Sequence, residues 1–205
     1  MDTSVQELLD LEWRLFDAAP QVGQRPARPA DREMFCVTRS AELSVWSPKL
    51  RESWRHDLLS AQAEGRNPIN EKYIYMLKGV DQERYTSLKA DLPEADIEKL
   101  WLVDWICQAE IIWQEALMQK YPRLTKNSRA IRKSADSPEG VSFETYLRGE
   151  LMPCSVITLR LYASQIEKAQ KGGKNLCEKI LENIVRQLGY ESLESAEERI
   201  LHQAE

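Results

Sequence analysis

Two stretches that lie 108 residues apart decide the fold of this 205-residue chain. Residues 35–67 read FCVTRSAELSVWSPKLRESWRHDLLSAQAEGRN, and residues 143–175 read FETYLRGELMPCSVITLRLYASQIEKAQKGGKN. They align without a gap and share eight identical residues, where roughly two are expected by chance. The alignment predicts an internal duplication. The matched pairs include Ser47 and Ser155, Gly65 and Gly173, Asn67 and Asn175, and the similar pair Trp54 and Tyr162.

The matched residues are ones that begin and end helices. Ser47-Pro48 and Asn67-Pro68 each place a capping side chain before a proline at the first helical position. Apolar residues recur at helical spacing along nearly the whole chain, and no convincing strand remains. The longest such pattern, residues 93–120, is apolar on more than one face and predicts a central buried helix.

We therefore expect an all-α protein, a single domain of about nine or ten helices built from two pseudo-twofold repeats. The repeats are residues 1–92 and 93–205. A half of this size buries too little surface to be stable alone, so the two halves are expected to share one core. The interface between them is the natural place for a cleft.

Composition excludes several functional classes. The chain has 33 acidic and 28 basic residues, a net charge of -5, which argues against nucleic acid as a partner. No stretch is apolar enough for a membrane span, and the amino terminus lacks the basic start of a signal peptide, so we expect a cytoplasmic protein. The four cysteines and two histidines show no metal-ligand spacing, so no metal site is expected, and no motif indicates a cofactor.

The matched short helices hold the most suggestive polar residues. If these helices face each other, Glu42 and Glu150 converge, and paired carboxylates act as general acid and base or hold a hard cation. Glu144 lies four residues before Arg148, which also predicts a simple local ion pair. Candidate site residues from the two helices are Arg39, Glu42 and Trp46 in the first repeat and Glu144, Tyr146, Arg148 and Glu150 in the second.

Two further acids, Glu12 and Glu110, lie in otherwise apolar stretches, and a buried acid needs a partner. Arginines can supply bidentate contacts. These contacts either form part of a ligand site or only pin loops to helices, and the sequence leaves both readings open. The candidate partners are the loop residues Arg25, Arg28, Arg129 and Arg132 and the helical residues Arg39 and Arg148.

Residues 143–151, FETYLRGEL, resemble the signature segment of the bacterial domain of unknown function 4125 family. Supporting pieces are Leu11-Glu12-Trp13, Gly65-Arg66-Asn67 with Glu71-Lys72-Tyr73, and Leu188-Gly189-Tyr190. The resemblance covers nearly the whole chain. It implies a bacterial, cytoplasmic protein and confers no assigned activity.

Together these features predict that the cleft between the repeats binds a small polar or anionic molecule. If the protein is an enzyme, we expect cofactor-independent acid–base chemistry, with Glu150 or Glu42 as base, Tyr146 as acid and Arg39 or Arg148 holding a substrate anion. The alternative is a protein-interaction module without catalysis, because helical repeats present extended surfaces and the acidic chain suits a basic partner.

Overall fold

The computed structural model describes residues 3–19 and 32–203, and this part of the chain is an all-helical single domain. Short 3₁₀ turns at Lys89–Asp91 and Lys133–Ala135 lie in the connections. The described residues form ten α-helices: α1 (Thr3–Ala18), α2 (Arg32–Val45), α3 (Pro48–Ala63), α4 (Pro68–Leu77), α5 (Gln82–Leu88), α6 (Ile97–Lys120), α7 (Phe143–Leu151), α8 (Val156–Lys171), α9 (Leu176–Gln187) and α10 (Leu193–Gln203).

Side-chain caps set most of the helix starts, as the sequence predicts. The Ser47 hydroxyl accepts a hydrogen bond from the backbone N–H of Leu50, and Ser155 accepts one from Thr158. The longest helix begins at Ile97 and not at residue 93, because Asp96 is its cap and accepts from the Lys99 N–H. The short helix α5 begins after its cap Asp81 and continues directly into the 3₁₀ turn at Lys89–Asp91.

The main core contains apolar residues from both predicted halves, such as Leu8 and Leu58 from the first and Ile106 and Ile166 from the second. The predicted central helix α6 contributes Val103 and Ile106 to this core, but part of its surface is exposed. Its Trp101 is 61% exposed. The apolar residues on more than one face of α6 therefore include a surface set as well as a core set.

Contacts at matched positions recur in the two halves. The Asn67 side-chain amide donates to the Leu15 carbonyl at 2.8 Å, and the Asn175 amide donates to the Trp113 carbonyl at 2.9 Å. Gly65 and Gly173, which end α3 and α8, both have positive φ, at 74° and 64°. We propose that the chain is duplicated, and these paired contacts support that proposal.

The two halves also cap each other. The Ser47 N–H donates to the Gln165 side chain at 2.7 Å, and the Ser155 N–H donates to Asp57 at 2.9 Å. Asp57 and Gln165 are themselves 108 residues apart, so each half completes the start of a helix in the other.

Three further predictions from the sequence concern the loop arginines, the cysteines and membrane-spanning segments. Residues Arg25 and Arg28, named as partners for buried acids, lie outside the described residues. All four cysteines are free, and three of them are buried. Among the described helices, none combines the length and apolar character needed to cross a membrane.

Candidate functional site

Two cavities meet in the middle of the domain. The α9-side cavity has a volume of about 270 Å³ and is bounded by α2, α3, α6, α7, α8 and α9. The α4-side cavity has a volume of about 430 Å³ and is bounded by α1, α2, α3, α4 and α7. Both are largely apolar where they extend outward. Their shared walls are Arg39, Glu42, Trp54, Tyr146 and Glu150.

A set of interacting charged and polar side chains, here called the central cluster, lies at this junction. Every one of them projects from a helix, so the cluster is held by rigid elements rather than by loops. The central cluster consists of Glu12 from α1, Arg39 and Glu42 from α2, Lys72 from α4, and Tyr146 and Glu150 from α7.

Arg39 is the partner of Glu12. Its Nε and Nη2 donate to the two Glu12 carboxylate oxygens at 2.6 and 2.8 Å, which is a bidentate contact. The indole N–H of Trp54 donates to the same carboxylate at 2.6 Å. Glu12 is only 2% exposed, so the arginine neutralises a charge that water does not reach.

The same arginine reaches the predicted carboxylate Glu42. Arg39 Nη1 donates to Glu42 Oε2 at 2.5 Å. Burial raises the pKa of Glu42, the Arg39 charge opposes that effect, and the nearby Glu150 carboxylate adds to it, with a net upward shift. Glu42 is therefore easier to protonate than an ordinary glutamate.

Lys72 links the opposite side of the junction. Its Nζ donates to Glu150 Oε1 at 2.6 Å and to the Tyr146 hydroxyl at 2.7 Å, and the residue is 8% exposed. Burial acts to raise the pKa of Glu150, but the charges of Lys72 and Arg39 outweigh it, so the pKa is lowered and the carboxylate stays ionised. Burial and the Glu150 charge raise the pKa of Tyr146, which keeps its proton.

The close approach of α7 to α4 depends on Gly149. A Cβ atom at this position would lie 2.7 Å from Cγ of Met76 and 2.9 Å from the Lys72 carbonyl oxygen. Only glycine lets the two backbones come this near, and the approach brings Lys72 within reach of Tyr146 and Glu150.

Glu110 lines the α9-side cavity and is 5% exposed. The Tyr162 hydroxyl donates to its Oε1 at 2.5 Å, and the Cys177 thiol lies 4.0 Å from Oε2. Burial, together with the charges of Glu42 and Glu150, raises the pKa of Glu110 to about 7, against the opposing effect of the Tyr162 hydrogen bond. The sequence predicted an arginine as the partner of Glu110, but the residue that donates to it is Tyr162.

Aromatic rings cover the cluster. The Trp46 ring lies 5.4 Å from that of Tyr162, and the Arg39 guanidinium lies 5.3 Å from the Trp46 ring centroid. The Arg129 guanidinium lies 4.8 Å from the Tyr146 ring and donates to the Val141 carbonyl. Trp46 lies in the wall of the α9-side cavity, and its ring already contacts Tyr162 and the Arg39 guanidinium.

Three predicted ligand-binding residues lie elsewhere, on the wall of an outer depression between α6 and α7. Arg148 pairs with Asp104 at 2.5 Å and approaches Glu144 at 3.6 Å, so the predicted local pair is present. Arg132 pairs with Glu115 at an exposed position. Grouping Arg148 with Tyr146 and Glu150 was wrong, because residues four apart share a helix face and the residue midway between them points the other way.

Sequence reasoning missed Lys72, which provides the cation for Glu150. Lys72 is the one basic residue of α4, and no local sequence pattern shows that its face of the helix contacts α7. Trp54 and Tyr162 were recognised only as a matched pair, yet they provide the equivalent hydrogen bonds to Glu12 and Glu110. That match was the available signal for their role.

Within residues 3–19 and 32–203, no group of three or more histidine, cysteine, aspartate or glutamate side chains is arranged to hold a metal ion. Glu42 and Glu150 do approach one another, but Arg39 and Lys72 occupy the positions next to them. The carboxylates of Glu42 and Glu150 are therefore held by hydrogen bonds from cationic side chains of the protein.

The fold and the cluster define an all-helical protein with a buried, ion-paired cavity at the centre of one domain. The sequence profile of the family described as "Protein of unknown function (DUF4125)" matches residues 2–198, and the chain belongs to this family. No curated protein and no solved structure matches the chain.

Proposed function

We propose that this protein binds a small polar molecule in the paired cavities, with the central cluster as its recognition site. The observation that carries this proposal is the meeting of two cavities at a buried set of charges. Concave, mostly apolar sites with a few converging polar groups are typical of small-molecule binding. Apolar outer walls and a polar junction suit a molecule that combines both characters.

Of the two ligand classes expected from the sequence, polar and anionic, the contacts favour the first. Arg39 already donates three hydrogen bonds to Glu12 and Glu42. Lys72 is held by Glu150 and Tyr146. An anionic ligand would have to separate these cations from buried carboxylates, which would leave the carboxylates unpaired.

The cluster also supports proton transfer as its chemistry. The two facing carboxylates have opposite pKa shifts, upward for Glu42 and downward for Glu150. Environments that shift the pKa values of two neighbouring acids in opposite directions are typical of a proton donor and a proton acceptor. We assign Glu150 as the base and Glu42 as the acid of cofactor-independent acid–base turnover, with Tyr146 donating a hydrogen bond to the substrate.

Native mass spectrometry of freshly purified protein, compared with its denatured mass, tests the binding proposal. We expect a retained small molecule on the wild type. The cavity-filling variant Ile184→Trp should lose it, because Ile184 lines the α9-side cavity. The matched control Ile112→Trp should keep it, because Ile112 is 60% exposed on α6. Equal retention by both variants would place the molecule outside the cavity and contradict the proposal.

An interaction module is the second candidate, and one surface favours it. Ile97 and Trp101 on α6 are 87% and 61% exposed, and Ile157 on α8 is 67% exposed. The Arg160–Glu98 ion pair joins these two helices. Exposed apolar residues grouped in this way are typical of protein contacts. A bare, stable oligomer that dissociates in a Trp101→Glu variant would favour this function over ligand binding.

A further inference from the structure

Glu12 and Glu110 occupy corresponding places on α1 and α6, each three residues before the carbonyl that accepts from a matched asparagine, Asn67 or Asn175. Among the described residues, only Glu12 of the two contacts a cation. Each carboxylate accepts one hydrogen bond from an aromatic side chain of the matched pair, Trp54 or Tyr162. Glu12 also receives two hydrogen bonds from Arg39. In the second stretch the residue aligned with Arg39 is Leu147, which has no charge.

No cation from the described part of the chain contacts Glu110. The charged groups that act on it are Glu42 from α2 and Glu150 from α7, both carboxylates, and the other polar groups facing it are Tyr162 from α8 and Cys177 from α9. The carboxylate is nevertheless 5% exposed. A buried carboxylate without a cation is unfavourable, so this position is incomplete in electrostatic terms.

The place beside Glu110 is a cavity and not a packed core. The α9-side cavity has a volume of about 270 Å³, with Glu110 and Leu147 both in its wall. Its two arginines are already engaged, Arg39 by carboxylates and Arg129 by the Val141 carbonyl and the Tyr146 ring. Aromatic faces, which attract organic cations, line the same space. The rest of the wall is aliphatic, from Leu117, Ile180, Leu181 and Ile184.

We infer that the α9-side cavity takes an organic cation, an ammonium group on an apolar body, which neutralises Glu110 as Arg39 neutralises Glu12. This inference rests on the proposed function and names the ligand class for it. The ammonium donates to Glu110 Oε2, whose hydrogen-bond contact among the described residues is the Cys177 thiol at 4.0 Å. The apolar body lies against the aliphatic wall. The ammonium group of the ligand supplies the positive charge that Leu147, at the position aligned with Arg39, lacks.

Three probes of equal chain length test the ligand class: hexylamine, 1-hexanol and hexanoate, each titrated calorimetrically at pH 8. We expect hexylamine to bind at least about tenfold more tightly than 1-hexanol, since a tenfold change corresponds to about 1.4 kcal/mol, the scale of a charge-assisted hydrogen bond. Hexanoate should bind most weakly, because it adds a negative charge beside Glu110, Glu42 and Glu150.

A pair of isosteric variants assigns the preference to one carboxylate. Glu110→Gln keeps an acceptor for the Tyr162 hydroxyl and removes the charge, so hexylamine affinity should fall to that of 1-hexanol. Glu115→Gln, on the same helix at an exposed position, should leave all three affinities unchanged. The wild type offers an independent check, because hexylamine affinity should rise about tenfold between pH 6 and pH 8 as Glu110 ionises around pH 7.

The outcomes separate this inference from the proposed function. If hexanoate binds more tightly than hexylamine, or if hexylamine binds Glu110→Gln as well as the wild type, the inference that the ligand is a cation is wrong. The proposal that the cavity binds a small polar molecule is not affected by either result. Failure of all three probes to bind at millimolar concentration also overturns the cation. The retained mass in native spectra then decides the proposed function separately, since that measurement needs no assumption about ligand charge.

Discussion

Glu12 and Glu110 differ in surroundings more than in burial. Both carboxylates are at least 95% buried, and both accept a hydrogen bond from an aromatic side chain of α3 or α8. Both border a cavity, Glu12 the α4-side cavity and Glu110 the α9-side cavity, but Arg39 pairs with Glu12, whereas no cation among the described residues contacts Glu110. A buried ion pair that is complete serves the fold, and an incomplete one is a place for a ligand. On the proposed duplication, one copy of the site is structural and the other is the one for which we propose a ligand.

Removing the cation from the complete site should have the largest effect. Arg39→Met leaves Glu12 and Glu42 buried without their common partner, and breaking a buried pair costs about 3–5 kcal/mol. Urea unfolding at pH 7 measures the loss. The control Arg55→Met removes an arginine that is 41% exposed on α3 and should change stability by less than about 1 kcal/mol. Equal effects of the two variants would mean that the Arg39 contacts are not structural.

Neutralising the incomplete site should have the opposite sign. With its pKa raised to about 7, Glu110 stabilises the folded state below pH 4.5 and loses that contribution as the pH rises through 7. Glu110→Gln should therefore be more stable than the wild type at pH 8, by about 3 kcal/mol, and close to it at pH 4.5. Unfolding curves over this pH range give the difference. A variant that is less stable than the wild type at pH 8 would show that Glu110 has a cation.

Closing the space between α4 and α7 should have a smaller effect. Gly149→Ala places a Cβ atom against Met76 and the Lys72 backbone, and overpacking of this kind costs about 1–3 kcal/mol. The aligned residue in the first stretch is Ala41, which is fully buried against α9, so the two halves differ in how closely their helices approach. Thermal unfolding compares this variant with Gly140→Ala, where the added atom meets nothing within 4 Å. Equal stability of both variants would contradict a tight α4–α7 contact.

The smallest effect is expected at the surface. Glu115→Gln removes an ion pair with Arg132 in which both side chains are more than a third exposed, so stability should change by less than about 0.5 kcal/mol. A larger loss in urea unfolding would give Arg132, a residue first assigned to ligand binding, a structural role that its exposure does not suggest.

The sequence predicted the helices well because helix ends depend on local chemistry. Ser47, Asn67, Ser155 and Asn175 each accept hydrogen bonds from the first turn of the helix that follows them. The start of α6 lies four residues later than residue 93, because Asp96 is the residue that caps it. The repeat alignment also found the positions of Glu42 and Glu150, which line the same two cavities.

The partners of the buried acids were less predictable. Arg39 was one of several arginines offered for Glu12, and only the packing of α1 against α2 selects it. Lys72 reaches Glu150 because Gly149 admits α4 to within contact, a feature that no helical pattern encodes. Helical spacing alone predicts that the Arg148 side chain points away from Tyr146 and Glu150, since Arg148 lies two residues from each of them. Its grouping with them gave too much weight to nearness in sequence.

The exchange of caps between the halves has a consequence for how the chain is made. The Ser47 amide leaves the ribosome 118 residues before Gln165, the side chain that accepts its hydrogen bond. At typical rates of synthesis this delay is on the order of ten seconds, far longer than a helix takes to form. The amino-terminal helices therefore wait for the second half, with apolar faces that a chaperone can bind, and the domain closes only after Gln165 and its helix have been synthesised.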